Sequence, residues 1–442
     1  MLKYLLVIFL GLDAAFAQTI SKPVFHANEK HTGFFTDKNY SGFDKLAWKF
    51  KSGGKIFSSP AISNRVAYIG SEDHNLYAVD LKTGKQIWKF TTGGAVNSSP
   101  AVCGNRLCFG SFDGYFYELD ARTGKLTWSF KTGGEKKVGA KGLWTMKPSS
   151  QYMEDLYDFF LSSPVFSDDQ LHPMVYFGSS DGNLYALNAV TGKLAWAFKT
   201  GGLIHTSPAL YDGKLYFGSW DTYFYAIDAI TGKLIWKFKT GDQPVIHLME
   251  GIQASATCGN GLIYFGARDG YFYALHANSG ELAWKYSANG SWILTTAAIK
   301  GGTVYAATSD TYQFLGFDAK TGRQTLSFKA NGYVYSSPAI AGNTAFFGDF
   351  TGKFFAANLL SGKLTGQFIT DGRKINAGKL LKKDVLDYNY LSIGKDNSLY
   401  SSSVDIMNQL YKLGPVVSSP VISNGIVYFG CSDGYLYALR LK

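Results

Sequence analysis

One stretch of this sequence keeps returning, and no other feature restricts its possible folds so strongly. Gly70–Phe90 reads GSEDHNLYAVDLKTGKQIWKF, and Gly110–Phe130 reads GSFDGYFYELDARTGKLTWSF. Further copies stand at Gly178–Phe198, Gly218–Phe238 and Gly266–Tyr286. Fainter ones run through Ala307–Phe328 and Gly348–Phe368, and a truncated copy, GCSDGYLYALRLK, ends at Lys442. A fixed period of roughly forty residues means one supersecondary unit stacked repeatedly, each unit burying its apolar faces against its neighbours.

Within a unit the pattern reads as four strands. The first starts at Ser-Ser-Pro or a variant, as at Ser58, Ser98, Ser162, Thr206, Ser336 and Ser418; Ala254-Ser255-Ala256 and Thr295-Thr296-Ala297 replace it in two units. Strand two is of the type Val66–Gly70 and strand three of the type Leu76–Asp80, with a Ser-x-Asp-Gly turn between them. A Thr-Gly-Lys turn then leads to strand four, Gln86–Phe90. Glycine supplies the positive φ of such tight turns, and aspartates such as Asp80, Asp120 and Asp228 can bond the turn backbone. Strand one holds small residues, whereas strand four carries Trp48, Trp88, Trp128, Trp196, Trp236 and Trp284. Sheets radiating from an axis crowd at the centre and diverge outward, so small residues belong inside and indoles outside. The fold class is all-β: an eight-bladed β-propeller of four-stranded antiparallel blades.

Closure follows from the ends. The last unit lacks a fourth strand, and that strand stands at the start as DKLAWKF, Asp44–Phe50. The N-terminal strand is therefore expected to complete the last blade and remove the free edge. The 82 residues between the starts at Ser336 and Ser418 are read as one blade with an insertion rather than two blades. Residues 370–381 echo an earlier insertion, TDGRKINAGKLL against TGGEKKVGAKGL. The organisation expected is a signal peptide over residues 1–17, an arm over 18–43 extended across the body, and the propeller over 44–442. Its insertions lie near 132–161 and 369–417.

Met1–Ala17 has a charged Lys3, an apolar Leu5–Leu12 and an Ala-Phe-Ala site, which together predict export to the periplasm or outside the cell. No cysteine follows that site, so no lipid anchor is read there, and no later segment is apolar enough to span a membrane. The four cysteines read as small buried residues: a hairpin at Gly104-Asn105 sets Cys103 opposite Arg106 and Cys108 opposite Ala101. The net charge is +10. Part of it repeats, because Lys85, Lys125, Lys193, Lys233, Arg323 and Lys363 each follow a turn glycine and should ring one face. Such a ring suits acidic polymers or anionic membrane, although a solvated rim is the plainer reading; no aromatics interleave as nucleic-acid binding would want.

The other face collects everything irregular. Ser-x-Asp-Gly turns and blade-to-blade connections share it, including the long stretches Thr132–Leu161, Thr240–Gln253 and Ile369–Val417. The tryptophans outside strand four, Trp144, Trp220 and Trp292, map there. So do Lys136, Lys137, Lys141, His205, Asp221, His247, Glu250, Gln253, Arg268 and Asp269. An aromatic-lined mouth with a few polar groups is the default ligand site, and these residues are the candidate ligand- or partner-binding set. Asp221 and Asp269 also occupy turn-forming repeat positions, whereas Glu250 and His247 break the repeat. No catalytic set, metal-ligand spacing, nucleophile elbow, P-loop or dinucleotide fingerprint is present.

The blade signature at Tyr225–Phe238, YAIDAITGKLIWKF, resembles the pyrroloquinoline-quinone (PQQ) repeat. Eight such blades with N-terminal closure resemble both quinoprotein alcohol dehydrogenases and the propeller lipoprotein of the outer-membrane β-barrel assembly machine. The first resemblance implies PQQ and Ca²⁺ in the central funnel, a carboxylate and an amide on the metal, and a disulfide between adjacent cysteines. Glu250 and Gln253 are the carboxylate and amide available, and no cysteines are adjacent. The second implies protein partners. The leading expectation is a non-catalytic exported scaffold that binds a ligand or protein through its long-loop face. A PQQ- and Ca²⁺-dependent dehydrogenase and a polysaccharide or cell-wall binder, the latter through Trp144, Trp220 and Trp292, are the alternatives. No nucleic-acid partner is expected.

Overall fold

The computed structural model describes residues 23–142, 149–150, 152–167, 169, 171–241, 250–387 and 399–442. It contains eight blade sheets arranged as a propeller, seven of them four-stranded and antiparallel and blade seven with a fifth strand added. Blade one is typical: Ala61–Ser63, Val66–Gly70, Asn75–Asp80 and Gln86–Thr91, in that order from the axis outward. Blade eight takes three strands from Val421–Leu441 and its outermost from Phe43–Lys51, which pairs antiparallel with Tyr435–Leu441. Ring closure by the N-terminal strand is thus as expected. Between blades seven and eight lie helix α1 (Asp371–Leu380), a two-stranded ribbon and helix α2 (Leu399–Tyr411), with no ninth four-stranded sheet among the described residues.

The graded residue sizes do what the radial geometry requires. Near the axis, the glycine ending strand two meets the neighbouring connection: a Cβ on Gly70 would stand 2.3 Å from the Val96 carbonyl oxygen. At the perimeter each indole lies on the Thr-Gly-Lys glycine of the next blade. A Cβ on Gly232, at φ +68°, would stand 2.6 Å from the Trp196 ring. Between these levels, facing phenylalanines stack across blades, Phe116 on Phe177 at 3.7 Å and Phe354 on Phe429 at 3.9 Å between centroids. The aspartate of each Ser-x-Asp-Gly turn bridges two blades: Asp221 accepts from its own strand's Tyr225 hydroxyl (2.7 Å) and from Gly201 N (2.8 Å).

The second hydroxyl of each Ser-Ser-Pro links neighbours around the axis. Ser59 N donates to Ser99 Oγ, Ser99 N to Ser163 Oγ, Ser163 N to Ser207 Oγ and Ser207 N to Ser255 Oγ, at 2.8–3.0 Å. Thr296 N continues to Ser337 Oγ, and Ser419 N closes back to Ser59 Oγ. This belt satisfies backbone donors that a crowded axis would otherwise strand.

The N-terminal arm runs extended across the body, at the axial end opposite the long loops, where it caps the inner strand edges. Val102 N donates to Pro23 O, Leu210 N to Glu29 O, Cys258 N to Lys30 O, and Ile299 N to Thr32 O. Phe34–Thr36 then adds a parallel strand inside blade seven. The cause is the unpaired edge each innermost strand presents, which an extended polar segment can satisfy. His26 and His31 are buried in this seal, and Gly33, at φ +61°, makes room for the His26 ring, 2.5 Å from where a Cβ would stand. None of the four cysteines is in a disulfide, and Cys103 lies opposite Arg106 and Cys108 opposite Ala101 as the hairpin register predicts.

Two outcomes test this packing. Gly70→Ala should lower stability by about 2–3 kcal/mol because backbone blocks its Cβ, whereas Gly104→Ala, with nothing within 4 Å, should cost about 1 kcal/mol; denaturant midpoints distinguish them. Burial lowers the pKa of His26 to about 4 against two carbonyl contacts, and that of His31 to about 3 with the neighbouring His26 adding to the effect. Both are neutral when folded, so stability is complete above pH 6.5 and falls as the pH drops toward 4, where the unfolded arm takes protons that the folded arm refuses. Hydrogen exchange of residues 25–36 should accelerate over that window in the wild type, and less in His31→Gln.

Candidate functional site

The long-loop face is not an open mouth. Phe159 from the first insertion and Leu380, Leu386, Met407, Leu410 and Leu413 from the second bury one another together with Phe57, Tyr333, Tyr335 and Phe350 of the blades. The two insertions thus make a second hydrophobic core that roofs the funnel. Below it, Phe160, Leu161 and Leu294 meet the serine belt and leave a residual axial cavity of about 20 Å³. That is room for about one water.

Among the polar links that fasten this roof to the ring, two engage buried charged groups of the first insertion. The first is centred on Arg268, at the variable position of the blade-five Ser-x-Asp-Gly turn. Its guanidinium lies between two indoles, 4.5 Å from the Trp220 ring and 4.3 Å from that of Trp292. Gln253 Oε1 accepts from its Nε (3.1 Å) and Nη2 (2.5 Å), while Gln253 Nε2 donates to Tyr157 O. Arg268 Nη1 lies 2.5 Å from Asp155 Oδ2, an ion pair with both side chains fully buried and off the hydrogen-bond line. Burial pushes the Asp155 carboxyl up; Arg268 opposes this and the nearby Asp158 adds to it.

The second link is a hydrogen-bonded chain. His205 Nδ1 is 2.8 Å from Asp158 Oδ1, and its Nε2 is 2.7 Å from Ser180 Oγ. Ser180 Oγ in turn donates to Glu135 Oε2, whose other oxygen accepts from Ser179 Oγ. Burial opposes charge on His205, but Asp158 and Glu135 together hold its pKa above the usual histidine value. As an imidazolium it donates from both nitrogens, to Asp158 and to Ser180, so the insertion's two carboxylates are tied to blades three and four. The order carboxylate, imidazole, hydroxyl matches a hydrolytic triad, but the serine is 3% exposed and its proton goes to Glu135. A nucleophile needs access and a base to take its proton; this chain is a tether.

The expected residues therefore separate. Trp220, Trp292, Arg268, Gln253 and His205 come together as the fastening of the roof. Asp221 and Asp269 are blade-bridging turn residues; Asp269 binds Tyr273 and Gly241 as Asp221 binds its own pair. Lys136 and Lys141 are exposed, and Lys137 lines a cavity of about 280 Å³ between α2 and the first insertion, with Lys55, Glu72, Glu154 and Asp155. Glu250 is half-buried, three residues before Gln253. Trp144 and His247 lie outside the described residues. Sequence reasoning missed Asp155, Asp158, Glu135 and Ser180. Two acids three residues apart within the aromatic run YMEDLYDFF were the available signal for the first pair, and the variable position of the Ser-x-Asp-Gly turn was the signal for Ser180.

The residues present do not fit PQQ with Ca²⁺. The slot between Trp220 and Trp292 is filled by a guanidinium, and the oxygen of Gln253 is committed to that cation, which repels a second one. No group of three or more His, Cys, Asp or Glu among the described residues is arranged to hold a metal.

Fold and blade signature define the class as a PQQ-like repeat β-propeller, here with a self-made roof. The family model described as outer membrane protein assembly factor BamB matches residues 41–148, 141–258 and 225–442, and the chain belongs to that family. Among solved structures it resembles BamB from Moraxella catarrhalis, with TM-score 0.63 and 13% identity over 90% of this chain and 99% of that one. A europium-containing methanol dehydrogenase gives TM-score 0.67 and 15% identity over 95% and 98%. A computationally designed protein, Ika8, gives 0.63 and 15% over 90% and 100%. At such identities the likeness is one of fold. No curated protein sequence matches the chain. No described helix is long and apolar enough to cross a membrane.

Removing Arg268 alone should be costly. Arg268→Met leaves Asp155 buried without its partner and should cost about 3–5 kcal/mol, while Arg268→Met with Asp155→Leu should recover most of that, measured as a double-mutant cycle in denaturant.

Proposed function

We propose that the chain is a non-catalytic scaffold of the cell envelope that engages a protein partner through the roofed, long-loop face. One observation carries this reading: the funnel, where a propeller enzyme would admit substrate, is filled by the chain's own insertions and locked by the Arg268–Asp155 pair between two indoles. Those insertions also raise apolar groups above the ring, with Tyr152 50% exposed on the first and Ile375 76% and Val385 42% exposed on the second. Exposed aromatic and aliphatic groups beside Lys136 and Lys141 form a surface of the kind that proteins bind. Membership of a family described by outer-membrane protein assembly supports a partner in that machinery, and a periplasmic location with it.

Photocrosslinking from positions 152 and 375 in cells tests this. One discrete partner band is expected, abolished by Tyr152→Ala with Ile375→Asp while the thermal transition is unchanged. Crosslinks to no protein at either position would overturn it. Titration of the purified chain with PQQ and Ca²⁺ should give no bound-quinone absorbance and no dye reduction; saturable quinone binding would instead restore the dehydrogenase reading.

A further inference from the structure

We propose that the opposite face of the ring, built from the Thr-Gly-Lys turns, docks flat onto an anionic phospholipid surface. The cations Lys85, Lys125, Lys193, Lys233, Arg323 and Lys363 are all exposed there. The aspartates that share their turns are engaged locally: Asp80, Asp228 and Asp318 each accept from the N–H and the hydroxyl of the turn threonine. The cations therefore project, while these carboxylates are held against their own turns.

Among these lysines stand aliphatic tips that packing does not explain. Ile230 is 84% exposed and Leu360 78%, each two residues before the turn glycine, and Val190 holds the same position at 48%. Leu171, 86% exposed, stands on the same face in the one-to-two turn of blade three. Single exposed aliphatics are ordinary. These differ because the same turn position carries Lys82, Arg122, Asn278 and Lys320 in other blades, so a polar residue satisfies the turn equally well.

Their distribution identifies the occupant. Val190 and Leu171 belong to blade three, Ile230 to blade four and Leu360 to blade seven, so the tips fall on nearly opposite sides of an eight-blade ring. The turns are built alike and share one hydrogen bond, from Gly84 N to Asp80 O, Gly192 N to Asn188 O, Gly232 N to Asp228 O and Gly362 N to Asn358 O, at 2.8–2.9 Å. Apolar tips on equivalent turns of one face, spread across the ring with cations between them, match a flat partner that is negative at its surface and apolar just beneath. A bilayer with anionic headgroups has that profile, and insertion of a few aliphatic side chains together with headgroup attraction is how monotopic contacts form. A small protein or peptide would engage one side of the ring only.

The test is sedimentation of the full-length purified chain with large vesicles of phosphatidylglycerol and phosphatidylethanolamine, or of phosphatidylcholine alone. Binding is expected to the first and not the second, and high salt should weaken it. Ile230→Asp with Leu360→Asp, and separately Lys193→Glu with Lys233→Glu, should each lower the partition coefficient about tenfold or more with an unchanged circular dichroism spectrum, while Tyr152→Asp on the roof leaves it unchanged. Absence of binding to anionic vesicles, equal binding to phosphatidylcholine, or wild-type partitioning of both double variants overturns the proposal. Because the roof variant reads the partner face separately, failure here leaves the scaffold reading intact.

Discussion

Eight innermost strands converge on one axis, and the hydroxyl belt is what lets them do so. Each sheet brings a short edge strand, Ala61–Ser63 in blade one, to a place too narrow for ordinary side chains and closed to water. The serine before each proline solves both problems, being small enough to fit and able to accept the N–H of the preceding blade. Everything farther out, from the glycines that end strand two to the indoles on the next blade's turn, can then be a repeated wedge. The arm uses the same logic from the other side by giving acceptors to inner-edge donors that the belt leaves open.

On that rigid wheel the roof is a separate piece of engineering. Its hydrophobic core would hold the insertions loosely, since apolar contact is not directional. Direction comes from buried charges paired at fixed points: Arg268 with Asp155, and imidazole with Asp158 and, through Ser180, Glu135. Such pairs contribute little net stability compared with apolar replacements but punish any arrangement that separates them. The roof therefore has one seating, and the groups it lifts above the ring are held at fixed places.

The wheel was legible in the sequence because its rules are local and repeated. Asp-Gly and Thr-Gly-Lys fix the turns, alternation fixes the faces, and the displaced Asp44–Phe50 strand announces closure. The roof was legible only in part. Trp220, Trp292, Arg268, Gln253 and His205 could be assigned to one face by topology, but their mutual contacts depend on Asp155 and Asp158, which arrive through an insertion that obeys no repeat. Nothing in the spacing told that these aromatics would clamp a guanidinium rather than line an opening. The arm's seat was not legible for a related reason: it is polar and aperiodic, and the inner edges that draw it in exist only once the ring has formed.

Closure by the N-terminal strand sets an order of events in time. Phe43–Lys51 emerges before any blade is complete, yet its partner Tyr435–Leu441 follows the other seven blades, and Ser419 N reaches Ser59 across 360 residues. Contacts so distant in sequence form slowly. Until they form, the young chain carries an unsatisfied β-edge and a vacant axis into which its own arm has not yet been drawn. The arm, whose carbonyls meet the inner strands of blades two, four, five, six and seven, has its full set of partners only once those blades have formed.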